Sequence, residues 1–291
     1  MEVFDTPAAM RAWSSSQRSV GRTVAVVPTM GALHDGHFAL VRNARSRADV
    51  VIVTIFVNPL QFNQSTDFDR YPRPIDDDLV ACDQAGVDAV YAPTAATMYP
   101  PSFQTHVAPG DLADRLEGTM RPGHFEGVTT VVAKLFGATI PDVANFGQKD
   151  FQQLAIIRQM VADLDLGIEI VGLPIVREPD GLAKSSRNLR LSPDDRRAAP
   201  VISRALEAAQ QAFNCGERDA NVLKQVIVEF IEAEPRAKVE YVELVDVETL
   251  IPVKRVDSAV VILTAAWFGD VRLIDNRVIH EAAVERRLNV V

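Results

Sequence analysis

The chain has 291 residues, 47% apolar and 24% charged, which is the balance of a globular protein with room for two domains and excludes a disordered or fibrous chain. Its formal net charge of −9 argues against broad nucleic-acid binding, so cations that serve an anionic substrate must be gathered in one cleft. No uninterrupted apolar stretch approaches the roughly 20 residues that a membrane-spanning helix requires.

The start, "MEVFDTPAAMRAW", lacks the basic-then-apolar order of a signal peptide. The two cysteines, Cys82 and Cys215, lie far apart without Cys-x-x-Cys spacing, so a reducing cytoplasm is expected.

In chain order, residues 23–28, "TVAVVP", read as a buried strand and residues 37–47 as a helix. "DVVIVTIFV" (49–57) is a second strand, rich in β-branched residues. A helix over 75–85 leads into the strand "VDAVYAP" and a loop with several prolines. A helix over 126–136, a short strand in "DVANFG", a helix over 150–163 and the run "IEIVGLPIV" follow. Strands alternating with helices predict an α/β fold, a Rossmann-like, mostly parallel sheet flanked by helices. Such sheets bind ligands beyond the carboxyl ends of their strands.

From about Arg177 the character changes. "EPDGLAKSSRNLRLSPDDRR" is polar and turn-rich, as in a linker or mobile loop. Helical patterns over 193–213 and 220–232 precede strands in "VEYVELVDVETL", "DSAVVILTAAWF" and "VRLIDNRVI". The expected domains are therefore 1–176, Rossmann-like, and 177–291, a smaller C-terminal α+β domain.

Four stretches carry candidate chemistry. "MGALHDGH" (30–37) falls at a strand-to-helix junction, where free N–H groups and the helix dipole suit phosphate. Gly31 and Gly36 allow close approach of backbone. His34 and His37 share a face of the first turn and can donate to phosphate oxygens; a metal pair and two histidines without a role are the competing readings. "FGQKD" (146–150) opens another helix, with Lys149 a point charge for phosphate and Asp150 either a helix start or a ribose partner. "KSSRN" (184–188) packs cations and hydroxyls into a loop able to close over a triphosphate, or into a solvated linker. "FVNPLQF" (56–62) puts Asn58 and Gln61 at the same rim, or merely starts an Asn-Pro turn. In "DDD" (76–78), Asp77 and Asp78 are candidates for a nucleotide-borne magnesium, against a plain helix-terminal charge cluster.

Together "PTMGALHDGH" (28–37), "FVNPLQF", "YPR" (71–73), "RPGHFEGVTTVVAKLF" (121–136), "FGQKDFQQ" (146–153), "GLAKSSRN" (181–188) and "VEYVELVD" (239–246) resemble the pantoate–β-alanine ligase family, within the nucleotidylyltransferase superfamily. The His-x-Gly-His element fixes only the superfamily, whereas "FVNPLQF", "RPGHFEGV" and "FGQKDFQQ" in this order are selective. The resemblance implies an enzyme that joins pantoate to β-alanine through pantoyl adenylate, with ATP and Mg2+, releasing AMP and pyrophosphate. It implies that Met30, Gly31, Ala32, Leu33, His34, Asp35, Gly36 and His37 form the ATP edge. His34 and His37 then lie on the phosphates, and His37 has an acid role. Gly147, Gln148, Lys149 and Asp150 hold the nucleotide, Lys149 on phosphate, and Val176 touches adenine. Lys184, Ser185, Ser186 and Arg187 form a second ATP loop, in a smaller domain that covers the active site. Gln61 and Gln153 hold pantoate, Gln61 also lying near β-alanine, and Asn58 belongs to the same substrate rim. A cytoplasmic homodimer is implied too, with small-molecule substrates and no nucleic-acid or membrane partner.

Three residues depart from the family pattern. Lys184 stands where a residue such as Met is usual, Arg190 where Tyr is expected and Trp267 where Arg is common. Lys184 is expected to tighten nucleotide binding or slow loop opening, and Trp267 to affect packing. Two other functions stay open: transfer of AMP or CMP to a phosphorylated small molecule, and nucleotide binding without turnover.

Overall fold

The computed structural model describes residues 1–63 and 65–280. Two elements precede the first expected strand: β1 (Glu2–Phe4) and α1 (Pro7–Ser19). Thr6 caps α1 by accepting from Ala9 N–H, and Pro7 occupies the first turn, where its missing donor is harmless. Then follow β2 (Val24–Thr29), α2 (Asp35–Arg47), β3 (Val50–Ile55), the short α3 (Ser65–Asp69), α4 (Ile75–Gln84) and β4 (Ala89–Tyr91). The one-turn helices α5 (Ala95–Met98) and α6 (Glu117–Met120) interrupt the proline-containing loop before α7 (His124–Thr139). The run closes with β5 (Val143–Gly147), α8 (Phe151–Asp163) and β6 (Glu169–Leu173).

These strands form one sheet in the order β1-β4-β3-β2-β5-β6, with every pairing parallel. Period-two alternation assigns the faces. Val24, Val26, Val50 and Ile52 pack with Met10 of α1, Val128, Val131 and Leu135 of α7, and Leu154 and Ile157 of α8. Ala25, Val27, Val51 and Val53 pack with Leu40, Val41 and Ala44 of α2 and Cys82 of α4. Helices on both faces explain why β2 and β3 read as continuous apolar runs rather than alternating ones. Strand order reverses between β2 and β5, and at such a switch point α/β sheets leave a crevice beyond the carboxyl ends.

The chain divides into two compact units: residues 1–148 with 152–174, and residues 149–151 with the chain from Ile175 onward. In the second unit, α9 (Pro193–Ala198), α10 (Val201–Asn214) and α11 (Ala220–Glu232) precede the antiparallel sheet β7 (Ala237–Asp246), β8 (Val260–Phe268) and β9 (Val271–Ile279). The single helix expected over 193–213 is broken near Pro200, whose ring denies the backbone a donor. Ile202, Ala205, Leu206, Ala209 and Phe213 form the buried stripe of α10, against Leu223 and Ile227 of α11 and Ile262, Ala266 and Phe268 of β8. The stretch expected as a linker or mobile loop is ordered. Arg177 and Ala183 form an antiparallel bridge, and Gly181 makes the turn at φ +92° beside Ser203.

Trp267 has a specific place. A bulge in β7 leaves Glu240 between Val239 and Tyr241, and its carboxylate accepts from Trp267 Nε1 (2.9 Å) and Arg272 Nε (2.7 Å). The indole N–H thus supplies a donor to Glu240 at the position where the resemblance leads one to expect Arg.

Burial, with the nearby Asp78 charge, pushes the Cys82 thiol up to about 12, so it stays protonated; Cys215 is exposed. Among the described residues no helix is long and apolar enough to cross a membrane.

Candidate active site

At the carboxyl end of β2 the chain turns through two left-handed residues, Gly31 (φ +79°) and Ala32 (φ +50°). The left-handed region costs a non-glycine residue about 1–2 kcal/mol, so something must hold Ala32 there. Asp78 does so: one carboxylate oxygen accepts from Ala32 N–H and the other from Leu33 N–H, both at 2.8 Å. Thr29 Oγ1 accepts from Gly31 N–H and donates to Thr54 C=O on β3. A Cβ on Gly31 would lie 2.8 Å from Asp78 Oδ2, so this glycine is required by space as well as by φ.

The loop delivers the chain to α2, where the two histidines cap the helix reciprocally. His34 Nδ1 accepts from Gly36 N–H, and His37 Nδ1 accepts from His34 N–H, both at 3.2 Å. The rings lie 4.1 Å apart between centroids. A ring nitrogen that accepts an N–H carries no proton, so in both neutral rings the proton sits on Nε2. The first turn of α2 thus carries both imidazole rings, protonated on Nε2, at the positive end of the helix dipole, an arrangement suited to a phosphate. Asp35, exposed, is the first residue of α2.

The second rim is built after β3. Asn58, 1% exposed, has its amide filled internally: Nδ2 donates to Gln61 Oε1 (3.0 Å) and Gly127 C=O (2.9 Å). Its Oδ1 accepts from Leu60 N–H and Tyr99 OH. Both ends of the Asn58 amide are thus engaged within the protein. Its contact fixes Gln61, whose Oε1 is accepting, so the Gln61 NH2 group is the end presented toward Met30 Sδ, 3.2 Å away. Burial raises the Tyr99 phenol above its ordinary pKa, which keeps its donor protonated.

Sequence reasoning missed the support beneath Gln61. The Gln61 carbonyl accepts from Arg121 (3.0 Å) and from His124 Nδ1 (2.7 Å). Arg121, His124 and Gly127 all lie in "RPGHFEGV", a stretch that contributed only to the resemblance. Gly127 lets α7 approach closely, since a Cβ there would fall 2.4 Å from Leu60 C=O.

In the acidic run Asp78, 3% exposed, accepts from the backbone of residues 32–33, whereas Asp77 is exposed in the first turn of α4. Among the described residues no group of three or more His, Cys, Asp or Glu could hold a metal ion. At the end of β5, Gly147 is half-buried and Gln148 donates to Gly172 C=O. Gln153 is half-buried on α8, beside the buried Gln152, which binds the backbone of residues 112, 115 and 117.

In the second unit Lys149 occupies a 3-10 turn, its ammonium 3.9 Å from Asp150. Val176 C=O accepts from Lys184 N–H. Ser185 caps the turn 186–190 by accepting from Arg187 N–H, which gathers Ser185, Ser186, Arg187 and Arg190 into one short turn. The Lys184 ammonium lies 3.5 Å from Glu178, so part of its expected charge is already matched. Lys184→Met should raise the ATP KM by only ~2–5-fold, the effect of a single part-screened charge. Initial rates over an ATP series test this, and unchanged KM and turnover would show that the charge serves Glu178 alone. Nothing in the structure explains the departure at Arg190.

The sequence profile of the family described as pantoate-beta-alanine ligase matches residues 2–278. The chain belongs to the pantoate–β-alanine ligase family. Among its relatives, pantothenate synthetase of Geobacter sulfurreducens is 48% identical, covering 97% of this chain and 99% of the relative. That of Heliobacterium modesticaldum is 51% identical, covering 96% and 99%. The crystal structure of pantothenate synthetase from Thermus thermophilus matches with a TM-score of 0.90 at 43% identity, over 95% of this chain and 99% of that one. A ligase from Francisella tularensis, complexed with β-γ ATP and β-alanine, matches at 34% identity and TM-score 0.81, over 95% and 97%. As a member of this family the chain is a ligase that condenses pantoate with β-alanine.

Proposed function

We propose that the reaction runs by adenylation, with the His34–His37 cap and Gln61 of the first unit and Lys149 and residues 184–187 of the second each binding substrate. The pantoate carboxylate attacks the α-phosphorus of Mg-ATP; the new O–P bond forms as the bond to pyrophosphate breaks. The β-alanine amine then attacks the acyl carbon, and the C–O bond breaks to release AMP. A carboxylate is ionised at pH 7, so the first step needs no strong base. What it needs is position and stabilisation of the charge that develops on the phosphate oxygens.

The observation that carries this reading is the reciprocal cap. It sets each ring with its proton on Nε2 at the start of a helix, and an N–H is what a phosphate oxygen accepts. His37 fits the acid role because its Nε2 bears the proton. Gln61 offers its NH2 end, a donor suited to a pantoate carboxylate or hydroxyl. Lys149 adds a point charge. Magnesium would enter with the nucleotide; Asp76 and Asp77 are the exposed carboxylates of the acidic run, and Asp77 would be the one to meet it. The Francisella complex supports ATP as co-substrate. A cytoplasmic location and a homodimer complete the reading; sedimentation at micromolar concentration tests the latter, and a monomer would remove it.

Pantoate labelled with 18O in its carboxylate tests the chemistry. Adenylation predicts one labelled oxygen in AMP for each pantothenate formed. Label in inorganic phosphate, with ADP as the nucleotide product, would replace adenylation by acyl phosphate formation. No pantothenate, with AMP joined instead to a phosphorylated acceptor and pyrophosphate released, would favour the transferase alternative.

A further inference from the structure

Strand β9 carries two consecutive buried polar residues, Asp275 (4% exposed) and Asn276 (5%), in a sheet whose other buried positions are apolar but for Thr264 on β8. Burying such groups is unfavourable unless each finds partners, so their partners show what they are for. Both Asp275 oxygens accept from the Arg177 guanidinium, at 2.6 and 2.9 Å, in a bidentate pair. Arg177 also donates to Gly181 C=O, so the pair fixes the turn that leads from Val176 to Lys184. Asp275 Oδ1 further accepts from Asn276 N–H at 2.8 Å.

Asn276 points to the opposite face of the strand, as successive residues must. Its Nδ2 donates to the backbone carbonyl of Lys149 at 2.9 Å, across 127 positions of sequence. The contact lies within the second unit, to which residues 149–151 belong. A side-chain amide thus grips the backbone of the residue whose ammonium is assigned to phosphate.

We propose that Asn276, braced by Asp275 and Arg177, is a positioning residue for Lys149, setting the place of its backbone and so the reach of its ammonium. This rests on the reading of Lys149 as a phosphate ligand. With the Asn276 donor gone, Lys149 loses its anchor while its charge and the pantoate-binding residues are retained. The loss therefore falls on turnover and on the ATP KM, and the pantoate KM holds.

The test is a double-mutant cycle on the full chain, read by pantoate-dependent ATP–pyrophosphate exchange. Asn276→Ala should lower kcat/KM for ATP by ~10–100-fold, the scale of a group misplaced by about an ångström. Asn276→Asp keeps the shape, removes the donor and sets a carboxylate against the carbonyl; it should lose at least as much. In a Lys149→Ala background, Asn276→Ala should cost less than ~2-fold, because an anchor cannot matter once the anchored group is gone. An equal loss in both backgrounds would overturn the proposal and make Asn276 structural. Full activity of Lys149→Ala would instead overturn the role of Lys149 itself. Asn276→Asp, close to Asn in volume, decides the matter if thermal melting shows that the alanine variant is unfolded.

Discussion

His37→Ala should lower the rate of adenylate formation by ~10²–10³-fold, the scale for removing one preorganised donor to a developing oxyanion. Stability should fall far less, because deleting one half of a helix cap costs about 0.5–2 kcal/mol. The two effects separate in experiment. Thermal melting reads the cap, and ATP–pyrophosphate exchange at saturating ATP and pantoate reads the chemistry. Gly36→Ala provides a companion, since its added Cβ would lie 2.8–2.9 Å from the His34 ring and displace it while both histidines are kept. It should also lose turnover, by less than His37→Ala does. Full exchange activity in His37→Ala would remove this histidine from the reaction.

Gly127→Ala should damage the rim that carries Gln61 out of proportion to the one methyl it adds. The new methyl would stand 2.4 Å from Leu60 C=O and 2.8 Å from Gln61 N, both backbone atoms that cannot rotate aside. Alanine in a helix is worth up to about 1 kcal/mol over glycine, whereas overpacking costs about 1–3 kcal/mol, so the clash wins. The turn 59–61 must shift, and with it Gln61, whose amide is oriented by Asn58 on the same support. The pantoate KM should rise by ~10-fold or more as Gln61 moves, and the ATP KM should change much less. Melting and two substrate titrations check this. An unchanged melting temperature with an unchanged pantoate KM would show that the contact relaxes freely.

The parallel sheet was legible in sequence where its strands are buried on both faces: the runs of β2 and β3 contain little else but β-branched residues. β1 was not legible, being three residues long with two of them exposed. The break at Pro200 was passed over because the apolar periodicity resumes directly beyond it. At the site, residue types and spacing marked the histidine turn as a candidate junction for phosphate, but not that His34 accepts from Gly36 N–H while His37 accepts from His34 N–H. Asn58 and Asp78 were read as facing ligand. A polar residue at a strand rim has the same appearance in sequence whether it faces a substrate or a backbone amide, and only the partners of its oxygens distinguish the two. The hold of Asn276 on Lys149 spans two distant segments and leaves no local pattern at all.

The most direct test of the account is ATP–pyrophosphate exchange by the unmodified chain with magnesium and pantoate, β-alanine being withheld. Reversible formation of pantoyl adenylate predicts exchange that requires pantoate and stops in His37→Ala. Absence of exchange by a chain that still binds ATP in calorimetry and still makes pantothenate once β-alanine is added would contradict it, because no free-standing adenylation step would then precede the amine.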